Sequence, residues 1–499
     1  MAVETGTLPR FAGEGTGGTM IRRAELLHEG VVEGHRYVHN PRGWEAVGIL
    51  SDTAAAIFDR ADGRPLDAIA RALSRPVTEL TPEVEFLARN GFIEGDGLPL
   101  PRRPAPSPPR FDLWLHVTNA CDLDCPHCYI EKDGRSLTDD GARALLDSLV
   151  RTAREGVRAI HLRFAGGEPM LRFDLVRRFF DDAREALSRE GCALTAAVLT
   201  NGTHTPDEAL AWMRDRSVSV SLSIDGVGDS HDAMRPRVGG GGSFARVEAG
   251  LARYQRAGLN PFALVTVSRH NLDAMPALTD WLLARRVGFR YSLVRDLEGG
   301  ASLLDARSAG WRALPGLIQL RRKVAPARAH AMLEGERLAR VLAVFDDCYA
   351  RIERAMPVAP SFRRTHRFCD IEWKRPIRKA CGAGETSLAI GHDGSVSPCQ
   401  AALHHDGTAS LTSDRSLTAL APSVTQLGDF RRHAPGSECA RCEHRYSCAG
   451  GCPLMLFRRD GRVDGRSPYC EVFRAVLPKI VRLVALELIH ERRQRTPRG

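Results

Sequence analysis

The sequence predicts an α/β fold built on a parallel sheet, and three observations carry that expectation. Between residues 111 and 293, short runs of alternating apolar residues recur six times, each followed by a helical stretch. Repeated β–α units imply parallel strands joined by right-handed crossovers. The residues richest in chemistry, Cys121–Tyr129, Gly166–Pro169 and Ser221–Gly226, each follow one of these runs directly. That is where ligands sit in open parallel sheets, beyond the carboxyl ends of the strands. Finally, six prolines between Pro99 and Pro109 mark a semi-rigid linker that separates this region from a smaller αβ pattern ahead of it.

Composition narrows the function. A chain of 499 residues has room for two to four domains at roughly 150 residues each. An apolar fraction of 43% suffices for ordinary cores, and no run of 18 or more apolar residues signals a membrane span. Met1 to Thr19 is rich in Gly and Thr and lacks the apolar centre of a signal peptide. Thirteen cysteines without a secretory signal point to metal or redox chemistry in a reducing cytoplasm. The net charge of +9 is carried by scattered arginines without interleaved aromatics, so no nucleic-acid partner is expected. An acidic peptide is compatible with that charge.

In chain order, 1–21 reads as a tail and 22–94 as a compact αβ module. Strands are expected near Ala24–Leu27, Arg36–His39 and Glu45–Leu50. Ser51-Asp52 caps a helix over Thr53–Arg60, and a second follows Pro65 with Leu66, Ile69, Ala70 and Leu73 at helical spacing. Thr81 or a neighbour caps a third helix, which Gly91 closes. Residues 95–110 are the linker and 111–300 the parallel-sheet core, with strands at Leu113–Val117, Ile160–Phe164, Leu194–Leu199, Val218–Ile224, Ala263–Ser268 and Phe289–Leu293. A bridging region, 301–375, is mixed and partly helical. Residues 376–475 form a cysteine-rich domain, and 476–499 hold a final helix and tail. The apolar stretch from Val472 to Ile489 is expected to pack across the cysteine-rich lobe.

Cys121-x3-Cys125-x2-Cys128 places three thiols in one short loop. Three can wrap one face of a cubane iron–sulfur cluster and leave its fourth iron open, since such clusters normally take four. A zinc knuckle or three buried thiols would read the same way from the loop alone. In Gly166-Gly167-Glu168-Pro169, the glycines allow close approach of the backbone to a ligand and Glu168 can receive a cation; a simple turn is the alternative. Ser223 and Asp225 suit either ligand contact or a capped turn. The second set, Cys381-x12-Gly394-x4-Cys399 and then Cys439-x2-Cys442-x5-Cys448-x3-Cys452 with Cys470, fits iron–sulfur clusters or a pair of zinc sites. Cys192 is expected to be a small buried apolar residue.

Together these motifs resemble the radical S-adenosylmethionine (SAM) enzymes, with His127 where that family usually has an aromatic residue. The resemblance implies a partial (β/α)6 TIM-like barrel. It gives the Cys121/Cys125/Cys128 cluster an open iron that chelates SAM, Glu168 of the GGEP motif the SAM amino group, and Arg235 the SAM carboxylate, a task suited to a bidentate guanidinium. Ser223 and Asp225 would lie near the ribose, and Tyr129 and Asn201 are further cofactor-cavity candidates. The later cysteines resemble the SPASM extension of peptide-modifying members. By that resemblance Cys439, Cys442, Cys448 and Cys470 hold one auxiliary [4Fe–4S] cluster, and Cys381, Cys399 and Cys452 hold another whose fourth ligand is open or is Cys369. The stretch YVHNPRGWEAVGILSDTAAAIFDRADGRPLDAIARAL resembles PqqD-like winged-helix modules, the recognition elements for ribosomally made, post-translationally modified peptides (RiPPs). In that family a leader peptide adds as a strand, here on Trp44–Leu50 beside Thr81–Asn90.

The implied activity is a peptide maturase. One electron from the first cluster splits SAM into methionine and a 5′-deoxyadenosyl radical, which abstracts hydrogen from a precursor peptide. The electron comes from a flavodoxin or ferredoxin. A thioether or other cross-link ranks ahead of backbone splicing or of formylglycine formation as in anaerobic sulfatase maturases. The non-enzymatic alternative is a zinc-containing winged-helix protein that binds nucleic acid.

Overall fold

The computed structural model describes residues 18–98, 110–130, 132–295, 335–356, 367–377, 381–403, 409–424, 437–460 and 466–495. Most of the tail, the proline linker from 99 to 109, Asp296 and much of the bridging region lie outside the described residues.

The N-terminal module contains β1 (Met20–Arg23), β2 (His28–Val32), β3 (His35–His39), β4 (Val47–Ile49), α1 (Asp52–Arg60), β5 (Asp62–Pro65), α2 (Leu66–Ala72), α3 (Val77–Arg89) and β6 (Ile93–Glu94). The three helices appear where their apolar spacing puts them. Ser51 Oγ caps α1 by accepting from the Ala54 amide at 3.1 Å, with Asp52 in the first turn and Arg60 in the last. Three details differ from expectation. No strand forms over Ala24–Leu27, where Leu26 turns the chain at φ 60°; strands flank that bend instead. Met20 and Ile21, assigned to the tail, open β1 because Ile21 is fully buried in the module core. Thr81 is not a cap: α3 starts after Pro76, and Thr81 Oγ1 lies inside it, donating to the Val77 carbonyl.

The strands form two small antiparallel sheets, β2-β3-β4 and β5-β1-β6. The first has two buried faces because its residues alternate. Val38 and Leu50 join Ile57, Phe58, Ile69 and Phe92 in the module's own core. Val32, Tyr37, Val47 and Ile49 belong instead to a core shared with the rest of the protein. Gly48 of β4 packs under Phe92 and under Phe86 of α3, where a Cβ would stand 2.5 and 2.9 Å from the two rings.

The barrel follows as β7 (Arg110–Thr118), α4 (Asp139–Arg154), β8 (Ala159–Gly166), α5 (Phe173–Arg189), β9 (Ala193–Thr200), α6 (Asp207–Asp215), β10 (Ser219–Ser223), α7 (Asp229–Met234), α8 (Phe244–Arg256), β11 (Phe262–Val267), α9 (Met275–Ala284) and β12 (Gly288–Leu293). All six predicted strands are present, and each neighbouring pair from β7 to β12 is parallel. Phe111, Leu113, Leu115 and Val117 of β7 face the helices, as do Ile160, Leu162 and Phe164 of β8. The intervening residues, Asp112, Trp114 and His116 with His161 and Arg163, take the opposite face. This is the partial (β/α)6 barrel.

The remaining elements are α10 (Gly335–Ala355), β13 (Arg367–Phe368), β14 (Ser387–Ile390), β15 (Ser395–Ser397), β16 (Ala409–Ser410), α11 (Leu417–Leu420), α12 (Arg445–Cys448), α13 (Pro453–Asp460) and α14 (Cys470–Arg495). β13 adds in parallel beside β12 and β14 beside β7, with β15 and β16 completing a ten-stranded sheet. The sheet therefore runs on into the cysteine-rich segment.

α14 departs from expectation. It does not lie mainly on the cysteine-rich lobe but fills the junction of barrel, α10 and module. Val476, Ile480, Val481 and Val484 pack in one core with Phe345 and Ile352 of α10, Phe289 and Tyr291 of β12, and Val32, Val47 and Ile49 of the module. Polar contacts follow the same seam. Arg482 donates to the Val31 carbonyl at 2.6 Å, and Arg493 and His490 meet Glu33 at 2.6 and 3.2 Å. Glu33 and Gly34 form the β2–β3 turn with positive φ at both positions, as a tight two-residue hairpin requires. Among the described residues no helix is long and apolar enough to cross a membrane.

Because one core holds three units together, Ile480→Ala should cost about 2–5 kcal/mol. It should lower the melting temperature and raise hydrogen exchange in β2–β4 as well as in α14. Faster exchange confined to α14 would show that the module does not depend on this helix.

Candidate active site

The three-thiol loop leaves the end of β7 and is braced by the loops after β8, β9 and β10. The Gly167 amide donates to the Thr118 carbonyl and the Glu168 amide to the Ala120 carbonyl, both at 2.7 Å. A Cβ on Gly167 would lie 2.1 Å from the Ala120 oxygen, and one on Gly166, held at φ 128°, 2.3 Å from the Thr118 oxygen. The glycines thus admit the backbone of the thiol loop, whereas their expected role was to admit a ligand. After β9, Asn201 Nδ2 donates to Asp122 Oδ1 at 2.8 Å, and Thr203 Oγ1 donates to the other oxygen of the same carboxylate. After β10, the Val238 amide donates to the Asp122 carbonyl at 2.9 Å, and the Asp124 amide to the Pro236 carbonyl at 2.7 Å.

Glu168 is fully buried and accepts from the Met170 amide at 3.0 Å, Thr200 Oγ1 at 2.8 Å and the Asn201 amide at 2.7 Å. Burial raises its carboxyl to about 7 despite these donors. Three donors leave a carboxylate with about one lone-pair direction for a ligand cation. Pro169 is buried and opens a short 3-10 turn. Asn201 also points Nδ2 toward Cys121 Sγ at 3.8 Å, while the Leu123 amide lies 3.5 Å from the same sulfur.

Ser223 ends β10, half-buried. Asp225 is fully buried: one oxygen accepts from the Thr266 amide and the other from Arg235 Nε, each at 2.7 Å. Burial opposes the charge of Arg235, but Asp225 and the Cys125 and Cys128 thiols beside it keep the guanidinium fully protonated. Only Nε is committed to Asp225, so the terminal nitrogens remain available for a carboxylate. His127 stands 3.5 Å from Asp225, held neutral by burial, which pulls it down to about 4. Tyr129 is half-exposed by surface area in the loop yet its phenol is enclosed, with Oη 3.3 Å from His116 Nε2; burial raises it, and Cys128 and Cys399 add to the effect. Tyr129 therefore lies between the first thiol set and the second.

All thirteen cysteines are free thiols. Burial pushes Cys121 up to about 12, and Cys125 up as well. Thiols in such surroundings become thiolate ligands when metal charge replaces the proton. The later cysteines fall into two neighbourhoods. Cys381 and Cys399, pushed up chiefly by burial to about 12 and about 11, both feel Cys452. Cys448, pushed up by burial to about 12, feels Cys470 and Cys439, and Cys442 feels Cys470. Among the described residues no three His, Cys, Asp or Glu side chains converge closely enough to hold a single metal ion. The donor set is made of soft thiolates, which are the ligands iron–sulfur clusters take, so the residues present fit such clusters.

Sequence reasoning missed two residues. Asp122 braces the thiol loop, and Arg295 stands beside Cys369. Asp122 carried a signal in its position inside the motif. Arg295 carried none, because its partners lie 74 and 75 residues further along the chain.

Residues 115–282 match the family model of the Radical SAM superfamily, so the chain is an enzyme built on a radical SAM domain. The cofactors of that domain are a [4Fe–4S] cluster and SAM. The chain is 25% identical over 367 residues to the mycofactocin maturase MftC of Mycolicibacterium smegmatis, covering 72% of this chain and 82% of that one. It is 27% identical over 371 residues to the PqqA peptide cyclase of Rhodopseudomonas palustris, covering 72% and 86%. A solved structure of anSMEcpe with bound AdoMet shares the fold, with a TM-score of 0.57 at 16% identity over 77% of this chain and 99% of that one.

Gly167→Ala should disorder the thiol loop, so that the anaerobically reconstituted protein holds fewer irons per chain than wild type. Gly134→Ala, where a Cβ would meet nothing within 4 Å, should leave the iron content unchanged. Equal iron in both variants would show that the close approach at Gly167 is dispensable.

Proposed function

We propose that the protein is a peptide maturase that binds the leader of a ribosomally made precursor through residues 22–94 and modifies the core of that peptide at the barrel mouth. The observation that carries this reading is the placement of the N-terminal module. Its β2-β3-β4 sheet ends at β4, which has one strand neighbour and buried residues, and the module is seated through α14 in the same core as the barrel. A peptide added along that edge by backbone hydrogen bonds would have its continuation held at a fixed position relative to the active site. The names of the relatives, a maturase and a peptide cyclase, agree with a polypeptide substrate.

In this reading Cys121, Cys125 and Cys128 hold the SAM-binding cluster, which when bound supplies the electron that generates the 5′-deoxyadenosyl radical. The chain's own residues do the rest. Glu168 and Arg235 orient the two ends of the SAM methionyl group, Ser223 and Asp225 flank its ribose, and the Asp122–Asn201 brace keeps the loop closed. Cys439, Cys442, Cys448 and Cys470 hold an outer auxiliary cluster. Cys381, Cys399 and Cys452 hold an inner one, with Cys369 as candidate fourth ligand. A flavodoxin or ferredoxin delivers the electron. A cross-link, a thioether among them, is the favoured product. Formylglycine formation is the second reading, supported by 23% identity over 371 residues to the serine-type anaerobic sulfatase-maturating enzyme of Klebsiella aerogenes. The leader-binding module tells against it.

Anaerobic reconstitution should give about twelve irons per chain, four for each of three clusters. Cys121→Ala should lose about a third of that iron and all formation of 5′-deoxyadenosine; a variant that still cleaves SAM would refute the assignment. Co-expression with a precursor peptide, sought as a short reading frame beside the gene, should yield a peptide lighter by two hydrogen atoms for each cross-link. Equal modification of the same peptide without its leader would remove the proposed role of residues 22–94.

A further inference from the structure

The inward face of the barrel strands is polar and open to water. On β7 to β12, the residues that alternate with the helix-packed ones turn inward. Several are small: Ala197 on β9, and Ser219, Ser221 and Ser223 on β10. Ser221, Leu264 and Arg290 each stand between two buried strand neighbours yet are themselves only half-buried, so water reaches them from the inward side. The strands therefore bound an accessible chamber beneath the thiol loop.

The charge of this chamber is unbalanced. Among the described inward residues of β7–β12, Asp112 is the one carboxylate, against the guanidiniums of Arg110, Arg163 and Arg290. Arg163 Nη1 and Arg110 Nη2 donate to the same oxygen, Asp112 Oδ1, at 3.0 and 3.1 Å. The Arg163 guanidinium also lies over the Trp114 ring, 5.7 Å from its centroid. Arg290 Nε is buried and has no hydrogen-bond partner among the described residues. Burial is the main force lowering Arg163 and Asp112 opposes it; Arg110 and Arg290 add to the lowering, so Arg290 acts on the same space. Three guanidiniums against one carboxylate, partly removed from water, are costly unless a further anion joins them.

Both strand positions lie beneath the candidate active site. Arg290 is two residues before Ser292, whose strand partner Thr266 donates its amide to Asp225 at 2.7 Å. Arg163 is three residues before Gly166. At about 3.3 Å per strand residue, these positions are about 7 and 10 Å below the levels of Asp225 and the GGEP turn. We propose that the chamber is a site for a substrate carboxylate: an acidic side chain or the terminal carboxylate of the core peptide pairs with Arg163 and Arg290. The identity of the substrate rests on the peptide-maturase reading above. A planar guanidinium matches a carboxylate bidentately, and only Nη1 of Arg163 is committed to Asp112, which leaves Nε and Nη2 for the ligand. The pairing sets which residue of the peptide stands at the barrel mouth. An extended chain advances about 3.3 Å per residue, so the carboxylate belongs within about three positions of the modified residue.

The test has two arms, both on the anaerobically reconstituted full chain. In the first, phenylglyoxal labels accessible arginines, and Arg163 and Arg290 are followed by mass spectrometry. The probe is N-acetyl-Gly-Glu-Gly-amide, with N-acetyl-Gly-Gln-Gly-amide as control. The glutamyl probe should remove most labelling of both arginines, and the glutaminyl control should not. Equal labelling with either peptide overturns the proposal, whatever the enzyme modifies. Protection in an enzyme that modifies no peptide keeps the site and overturns the maturase reading instead. In the second arm, each Asp and Glu of the co-expressed precursor is changed to its amide, and its C-terminus is amidated separately. One of these changes should cost about tenfold in kcat/KM on the wild type, the order of one charged hydrogen bond. The same change should cost less than about twofold on Arg163→Gln or Arg290→Gln, because the partner is already gone. Loss of iron in Arg290→Gln would leave Arg163→Gln and the labelling to decide. A wild type indifferent to every carboxylate of its precursor, or variants that keep the full preference, would overturn the proposal.

Discussion

Two backbone hydrogen bonds, from the Gly167 and Glu168 amides to the Thr118 and Ala120 carbonyls, join the ends of the first two barrel strands at the thiol loop. The first thiol loop and the groups around it are positioned from that seam. It fixes where Cys121 begins, and it turns Glu168 inward to gather Thr200 and Asn201. Asn201 then reaches Asp122 and the Cys121 sulfur. The constraint is steric before it is chemical, since the backbone of Thr118–Ala120 can approach this closely only because Gly166 and Gly167 carry no Cβ. A loop whose thiols must ligate a bulky cluster needs its backbone held by the protein, because the side chains are already committed.

Much of this was legible in the sequence. The six barrel strands were readable because each alternates cleanly and ends at a turn or a motif, and the three module helices because their apolar residues recur at helical spacing. The division of the later cysteines into two sets came from family resemblance, because spacing alone would group Cys452 with Cys448, four residues before it. Other features depended on distance in space. Nothing near Arg295 marks it, since its partners come from a segment beyond α10. The double-sided burial of β2–β4 was hidden because Val32, Tyr37, Val47 and Ile49 look like ordinary strand residues; their partners sit more than 400 residues away in α14. β1 was missed because only Ile21 in it is buried, too short a pattern to register.

Charge is placed with the same economy. Arg235 and Arg295 both stand near thiols, and each is tied to an aspartate, Asp225 or Asp370. A lone guanidinium in such enclosed places would be costly to desolvate, and a fully neutralised one would exert little field. One carboxylate on one edge of each guanidinium leaves the other edge free to act on what is bound beside it.

The seating of Glu33 and Gly34 on the far end of α14 bears on how such enzymes can diversify. An N-terminal module tethered only by a proline-rich linker could be exchanged between relatives like a cartridge. Here the hairpin tip, one face of its sheet and α14 form a single joint. A chimera carrying a foreign module would have to bring matching residues along α14 with it, so two segments more than 400 residues apart are bound to change together.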